Sequence, residues 1–127
     1  MHINEISGQI VDASIKVHSS LGPGLLESVY EVILAYELKK RGIEVQRQLP
    51  VPIIYDDIRF EEGYRLDLLV SERIIVEIKS VEDVQPVHKK QLLTYLRLQR
   101  KPLGLLLNFN VDLMKDGITR IVNGLEE

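Results

Sequence analysis

Residues 65–79 read RLDLLVSERIIVEIK, two short apolar-rich runs separated by Ser71-Glu72-Arg73. Side chains alternate between faces along a strand, so each run sorts into two sets. In 65–70, Asp67 shares a face with Arg65 and Leu69, while Leu66, Leu68 and Val70 line the other. In 74–79, Glu77 and Lys79 share a face, opposed by Ile74, Val76 and Ile78. Each strand is therefore expected to press an apolar face into a core and hold its charged groups on the other face. A three-residue loop would pair Val70 with Ile74, Leu68 with Val76 and Asp67 with Glu77. Directly paired residues lie ~5 Å apart at Cβ. A two-residue loop would shift the register by one and send the carboxylates to opposite faces. Carboxylates this close repel unless a cation lies between them. Hard oxygen ligands of this kind select magnesium or manganese. The bland alternative is a pair of solvated charges partnered by Lys79 or Arg65, and the two strands alone do not decide.

Upstream of this hairpin the hydrophobic period is helical. Ile3, Ile6, Ile10, Ala13 and Val17 fall at three- and four-residue steps and predict a helix over 3–19. Leu21-Gly22-Pro23-Gly24 ends it. A second helix is expected from about Leu25 to Arg41, with an apolar stripe of Leu26, Val29, Tyr30, Ile33 and Tyr36. Lys39, Lys40 and Arg41 suit the negative end of its dipole, and Gly42 suits its C-cap. Residues 44–55 look extended, and their two prolines favour an edge or bent strand. Asp56-Asp57 supplies a turn, and 59–70 reads as one strand. Downstream, Pro86 suits the first turn of a helix over 86–100. Leu103 to Phe109 reads as a buried strand and Gly117 to Asn123 as a shorter one. The predicted order, α-α-β-β-β-α-β-β, describes one α/β domain over 1–127, a mixed sheet with helices packed on it.

Composition bounds the chemistry. A chain of 127 residues fits one domain and buries enough surface to need no staple. It has no cysteine, which excludes disulfides, zinc–thiolate sites and cysteine nucleophiles. A net charge of −3 argues against coating nucleic acid by bulk electrostatics, but not against meeting phosphates through metal ions and a local basic helix. His88, Lys89, Lys90, Arg97, Arg100 and Lys101 make the third helix region basic, which reads either as a solvated face balancing an acidic protein or, preferred for where the helix falls, as a backbone-contacting patch beside the site. No signal peptide is visible at the N-terminus, and apolar runs such as Leu103 to Leu107 are far too short to span a bilayer. A cytoplasmic protein without membrane contact is the expectation.

Asp67, then nine residues, then Glu77-Ile78-Lys79 resembles the D-x(n)-E-x-K signature of the PD-(D/E)XK nucleases. Gly24-Leu25-Leu26-Glu27-Ser28-Val29-Tyr30 is similar to the Gly-x-x-Glu-x-x-Tyr motif of a small family within that superfamily. Gln91-Leu92-Leu93-Thr94-Tyr95 matches the Gln-x-x-x-Tyr of the RecB-like branch. The resemblance runs from about residue 5 to 110, and all three motifs stand in order. It departs at Leu66, where the signature often has proline.

The resemblance implies a restriction-endonuclease-like fold and a Mg2+- or Mn2+-dependent nuclease, with DNA as the preferred substrate and RNA as the second choice. Asp67 and Glu77 would bind the metal, Glu27 would be a further ligand or hold a metal-bound water, and Lys79 would activate the attacking water. Gln91 and Tyr95, one helical turn apart, would complete the catalytic set. Each has a plainer reading beside this: a first-turn acid for Glu27, a core aromatic for Tyr30 or Tyr95, a surface polar group for Gln91, a structural histidine for His18. No GxSxG elbow, phosphate-binding glycine loop or HExxH competes. The alternative function is a catalytically silent module of the same fold that binds nucleic acid or a protein. A two-fold homodimer would suit cleavage of both strands.

Overall fold

The computed structural model describes residues 1–125; Glu126 and Glu127, the end of the expected domain, lie outside them. Helix α1 (Ile3–Leu21) buries Ile3, Ile6, Ile10, Ala13 and Val17, the stripe its period predicts. Helix α2 (Glu27–Lys40) follows. Gly42, at φ 77°, donates its N–H to Lys39 O, and Ile43 donates to Leu38 O, so the helix closes on the glycine expected there.

The α2 stripe departs from expectation. The buried line is Tyr30, Leu34, Ala35 and Leu38, whereas Leu26 and Tyr36 are exposed. Leu and Ala on one side and Val, Ile and Tyr on the other leave the helix apolar nearly all round, so periodicity alone could not choose the buried face. Glu31 and Glu37 are also buried, each with a cation: Arg47 at 2.9 Å and Lys16 at 3.1 Å respectively.

The main sheet has five strands, which lie side by side in the order β1 (Val45–Pro50), β4 (Arg65–Val70), β5 (Ile74–Lys79), β6 (Leu103–Asn108) and β7 (Ile118–Val122). The predicted strand over 59–70 is divided. Its first part is β3 (Ile58–Phe60), which pairs with β2 (Ile53–Tyr55) in a separate hairpin turning at Asp56-Asp57. Gly63, at φ 95°, breaks the chain before β4. All neighbours in the main sheet are antiparallel except β5 and β6, which are parallel. A parallel pair needs a crossover. Helix α3 (Pro86–Gln99) supplies it.

Helices cover both faces. With α1 and α2 lie Leu68, Val70, Ile74, Val76, Ile78 and their β6 neighbours; with α3 lie Leu66, Leu69, Ile75 and Leu106. The expected split between an apolar core face and a charged outer face is thus corrected: β5 is buried on both sides. That is the usual state of a central strand in a sheet with a parallel pair. No helix among the described residues is long and apolar enough to cross a membrane.

Candidate active site

The site forms where the ladder between β4 and β5 gives out. Val70↔Ile74, Leu69↔Ile75 and Leu68↔Val76 pair as a three-residue loop requires. The next step would pair Asp67 with Glu77, but side chains take over instead. Asp67 N–H donates to Glu77 Oε2 at 2.9 Å, and Ile78 N–H donates to Asp67 Oδ2 at 2.7 Å. On the other side of β4, Arg47↔Leu68 and Leu49↔Leu66 pair while Gln48, opposite Asp67, takes a left-handed backbone at φ 54°. The local distortion breaks strict alternation. Leu66, expected to share a face with Leu68 and Val70, packs in the α3-side cluster instead.

The two carboxyl groups interact strongly. Burial, then the charge of Asp67, pushes Glu77 from its ordinary 4.5 up to about 8. Burial is also the largest influence on Asp67, which is raised, although the Ile78 N–H bond and Lys79 oppose it. Lys79 is half-buried, makes no ion pair within 4 Å among the described residues, and favours the ionised form of both acids.

The first residues of α2 close the site from one end. Gly24 holds φ 93°, a backbone that a Cβ would strain. Tyr30, fully buried, stacks on Phe109 with centroids 4.4 Å apart, donates its hydroxyl to Gly22 O at 2.6 Å and accepts from Leu25 N–H at 3.1 Å. These contacts pin the turn that aims Glu27, whose carboxylate accepts Ser80 N–H at 2.9 Å; Ser80 Oγ in turn donates to Leu25 O at 2.7 Å. Glu27 is thus tied to the residue after Lys79. Residues Gly24 to Ser28, Ser80 and Asn110 line a cleft of about 670 Å³ there.

Of the expected residues, the structure gathers Asp67, Glu77 and Lys79 and sets Tyr95 against them. Tyr95 is buried, and its hydroxyl is raised first by burial and then by the charges of Glu77, Tyr64 and Asp67. Gln91 is exposed one turn away and makes no hydrogen bond among the described residues. No three His, Cys, Asp or Glu side chains among the described residues gather closely enough to hold a metal, so Glu27 does not join Asp67 and Glu77 in the three-carboxylate set expected.

The basic residues of α3 do not form one patch. His88 accepts Gln85 N–H at 3.1 Å and caps the helix. Arg100 and Lys101 adjoin Leu103, which pairs with Ile74 at the end of β5 away from Lys79.

Two residues were missed by sequence reasoning. Glu31 takes Arg47 and Gln48 as partners and its charge reaches Asp67. It stands one turn after Glu27, a spacing that signalled a shared face. Asn108, beside Lys79 in the sheet, clamps Val81 through its amide at 2.9 and 3.1 Å. Nothing but its place at a strand end could have marked it.

Two hard carboxylates, drawn together by the backbone and short of balancing charge, are a donor set that fits a divalent cation of the magnesium kind. A family model described as the PD-(D/E)XK nuclease superfamily matches residues 4–121. The chain belongs to that superfamily, whose members generally use divalent metal ions. No curated protein and no solved structure matched the chain.

Proposed function

We propose that this protein is a magnesium- or manganese-dependent nuclease that hydrolyses phosphodiester bonds in DNA. The observation that carries the reading is the seam between β4 and β5, where Asp67 and Glu77 displace main-chain partners and face one another. Evolving such a seam for structure alone would be costly, since two acids there destabilise the chain unless they share a proton or a cation.

Asp67 and Glu77 would hold the ion. When bound, it supplies the positive charge that acidifies a water and offsets charge on the scissile phosphate. Lys79 lies on the same strand as Glu77, two residues on, and its unpaired ammonium binds the phosphate and orients the attacking water. Glu27 acts as a positioning residue through Ser80 and fixes the strand end that carries Lys79. Tyr95 bounds the site on the α3 side and offers a hydroxyl held in its neutral, donating form. Gln91 projects one turn along and contacts the nucleic-acid backbone. The motif at Gly24, Glu27 and Tyr30 and the pair Gln91 and Tyr95 support, on this reading, kinship with the Gly-x-x-Glu-x-x-Tyr proteins and the RecB-like branch.

A second reading, a nuclease-fold module that binds without cutting, is favoured by one observation: no third acid joins the pair among the described residues. Manganese titration by calorimetry separates the two. The control is Asp67→Asn/Glu77→Gln, because the amide oxygens still accept the backbone N–H bonds of positions 67 and 78 and keep the seam intact. Saturable binding to the native chain and none to the variant is expected. Magnesium-dependent cleavage of DNA should then fall by about 100-fold or more in Lys79→Ala. No saturable binding at millimolar metal, together with no cleavage of any nucleic acid, would sink the nuclease reading.

A further inference from the structure

The β2–β3 hairpin is apolar where solvent should make it polar. Ile54, Tyr55, Ile58 and Phe60 are each more than half exposed, and none of its side chains joins either core cluster. The register Ile53↔Phe60, Ile54↔Arg59, Tyr55↔Ile58 sorts these residues. Paired and alternate positions share a face, so Ile53, Tyr55, Ile58 and Phe60 lie together on one side, with Ile54 and Arg59 on the other.

That apolar face does not end at the hairpin. The Phe60 ring meets Tyr64 at 6.2 Å between centroids, and Tyr64 meets Tyr95 edge-on at 6.4 Å. Tyr95 packs with Leu66, the neighbour of Asp67. A line of aromatic rings therefore runs from the exposed hairpin to the paired carboxylates. Charge says which part of a nucleic acid could lie along it. Asp56 and Asp57 form the hairpin's turn and Glu61 and Glu62 follow its second strand, and Arg59, the one cation between them, is paired with Glu61. Four acids repel a phosphate backbone, while base faces stack on aromatic rings whatever their sequence. A duplex hides its base faces and presents phosphates all round, whereas an unpaired strand can turn its bases to the rings and its phosphates away from the acids.

We propose that Tyr55, Phe60 and Tyr64 form a stacking platform for unpaired bases, and that the strand taken by the Asp67–Glu77 site is single-stranded at that point. The proposal rests on the nuclease reading for the position of the phosphate, but the stacking itself can be read without cleavage.

The chain has no tryptophan, so Phe60→Trp introduces a single reporter that keeps an aromatic ring in place. With calcium present, a twelve-residue oligothymidine should quench its emission to saturation, and a twelve-pair duplex should not. Tyr64→Ala in that background should weaken oligothymidine binding on the order of tenfold and leave duplex binding unchanged. In parallel, the unaltered chain should dim an oligonucleotide carrying 2-aminopurine. Equal quenching by both probes, or by neither, overturns the platform. So does a blue shift that grows with protein concentration as the measured mass doubles, because a second copy would then cover the hairpin. Magnesium-dependent cleavage is scored separately. Cutting without quenching refutes the platform and spares the nuclease reading; quenching without cutting under any divalent metal does the opposite.

Discussion

Glu77 keeps a proton that an isolated glutamate gives up, and this makes the molecule's stability depend on pH in an unusual direction. Its folded value is about 8 against 4.5 in an unfolded chain. Between those values the folded state holds more protons than the unfolded one, so unfolding free energy falls as pH rises. Asp67 is raised as well and pushes the same way. Without divalent metal, urea unfolding should show a loss of a few kcal/mol between pH 4.5 and 8, shared by the pair as a unit. Glu77→Gln should flatten that slope, and a magnesium-induced gain in stability should be largest near pH 8. A metal-free profile that rises over this range would contradict the assignment. At this scale the sequence was largely readable. Alternation and loop length put Asp67 and Glu77 side by side, but side-chain capture of backbone N–H groups leaves no periodic trace. The partners of Glu31, Arg47 and Gln48, and that of Asn108, Val81, lie 16 to 27 residues away and could not be named from the sequence.

At the scale of elements, α1 was readable because its apolar residues occupy one stripe and its other faces are polar. Helix α2 was not, because two stripes compete and tertiary contacts choose between them. The choice is made by Tyr30, whose ring stacks on Phe109 and whose hydroxyl joins Gly22 to Leu25. Tyr30→Phe keeps the stack but leaves the Gly22 carbonyl and Leu25 N–H unpaired. It should cost about 1–2 kcal/mol in chemical denaturation. It should also loosen Glu27, measurable as faster hydrogen exchange at Ser80 N–H, which that carboxylate holds. Unchanged exchange at Ser80 would separate the tyrosine from the site. The strand over 59–70 was misread for a different reason: Gly63 at φ 95° and the exposed hairpin before it interrupt a run that composition alone makes continuous.

Across the whole molecule, the class of fold followed from the switch between helical and alternating periods, and the crossover through α3 from the apolar run at 103–109. The covering of both sheet faces was harder to see. Leu69 and Ile75 sit on the polar-looking faces of their strands, and one apolar residue per strand is a weak sign of a second layer. The basic residues of α3 illustrate the same limit, since a helix of 14 residues spans ~21 Å and carries its two ends to different parts of the surface. A net charge, or a cluster in sequence, does not locate a patch in space.

The seam between β4 and β5 has one more use. Asp67 N–H and Ile78 N–H each point at a carboxylate whose pKa is raised. An amide proton resonance moves downfield as its acceptor becomes charged, so these two backbone signals act as indicators wired into the sheet. The Asp67 signal should travel downfield through a midpoint near pH 8, following the ionisation of Glu77. The protein thus carries its own proton gauge at its paired carboxylates.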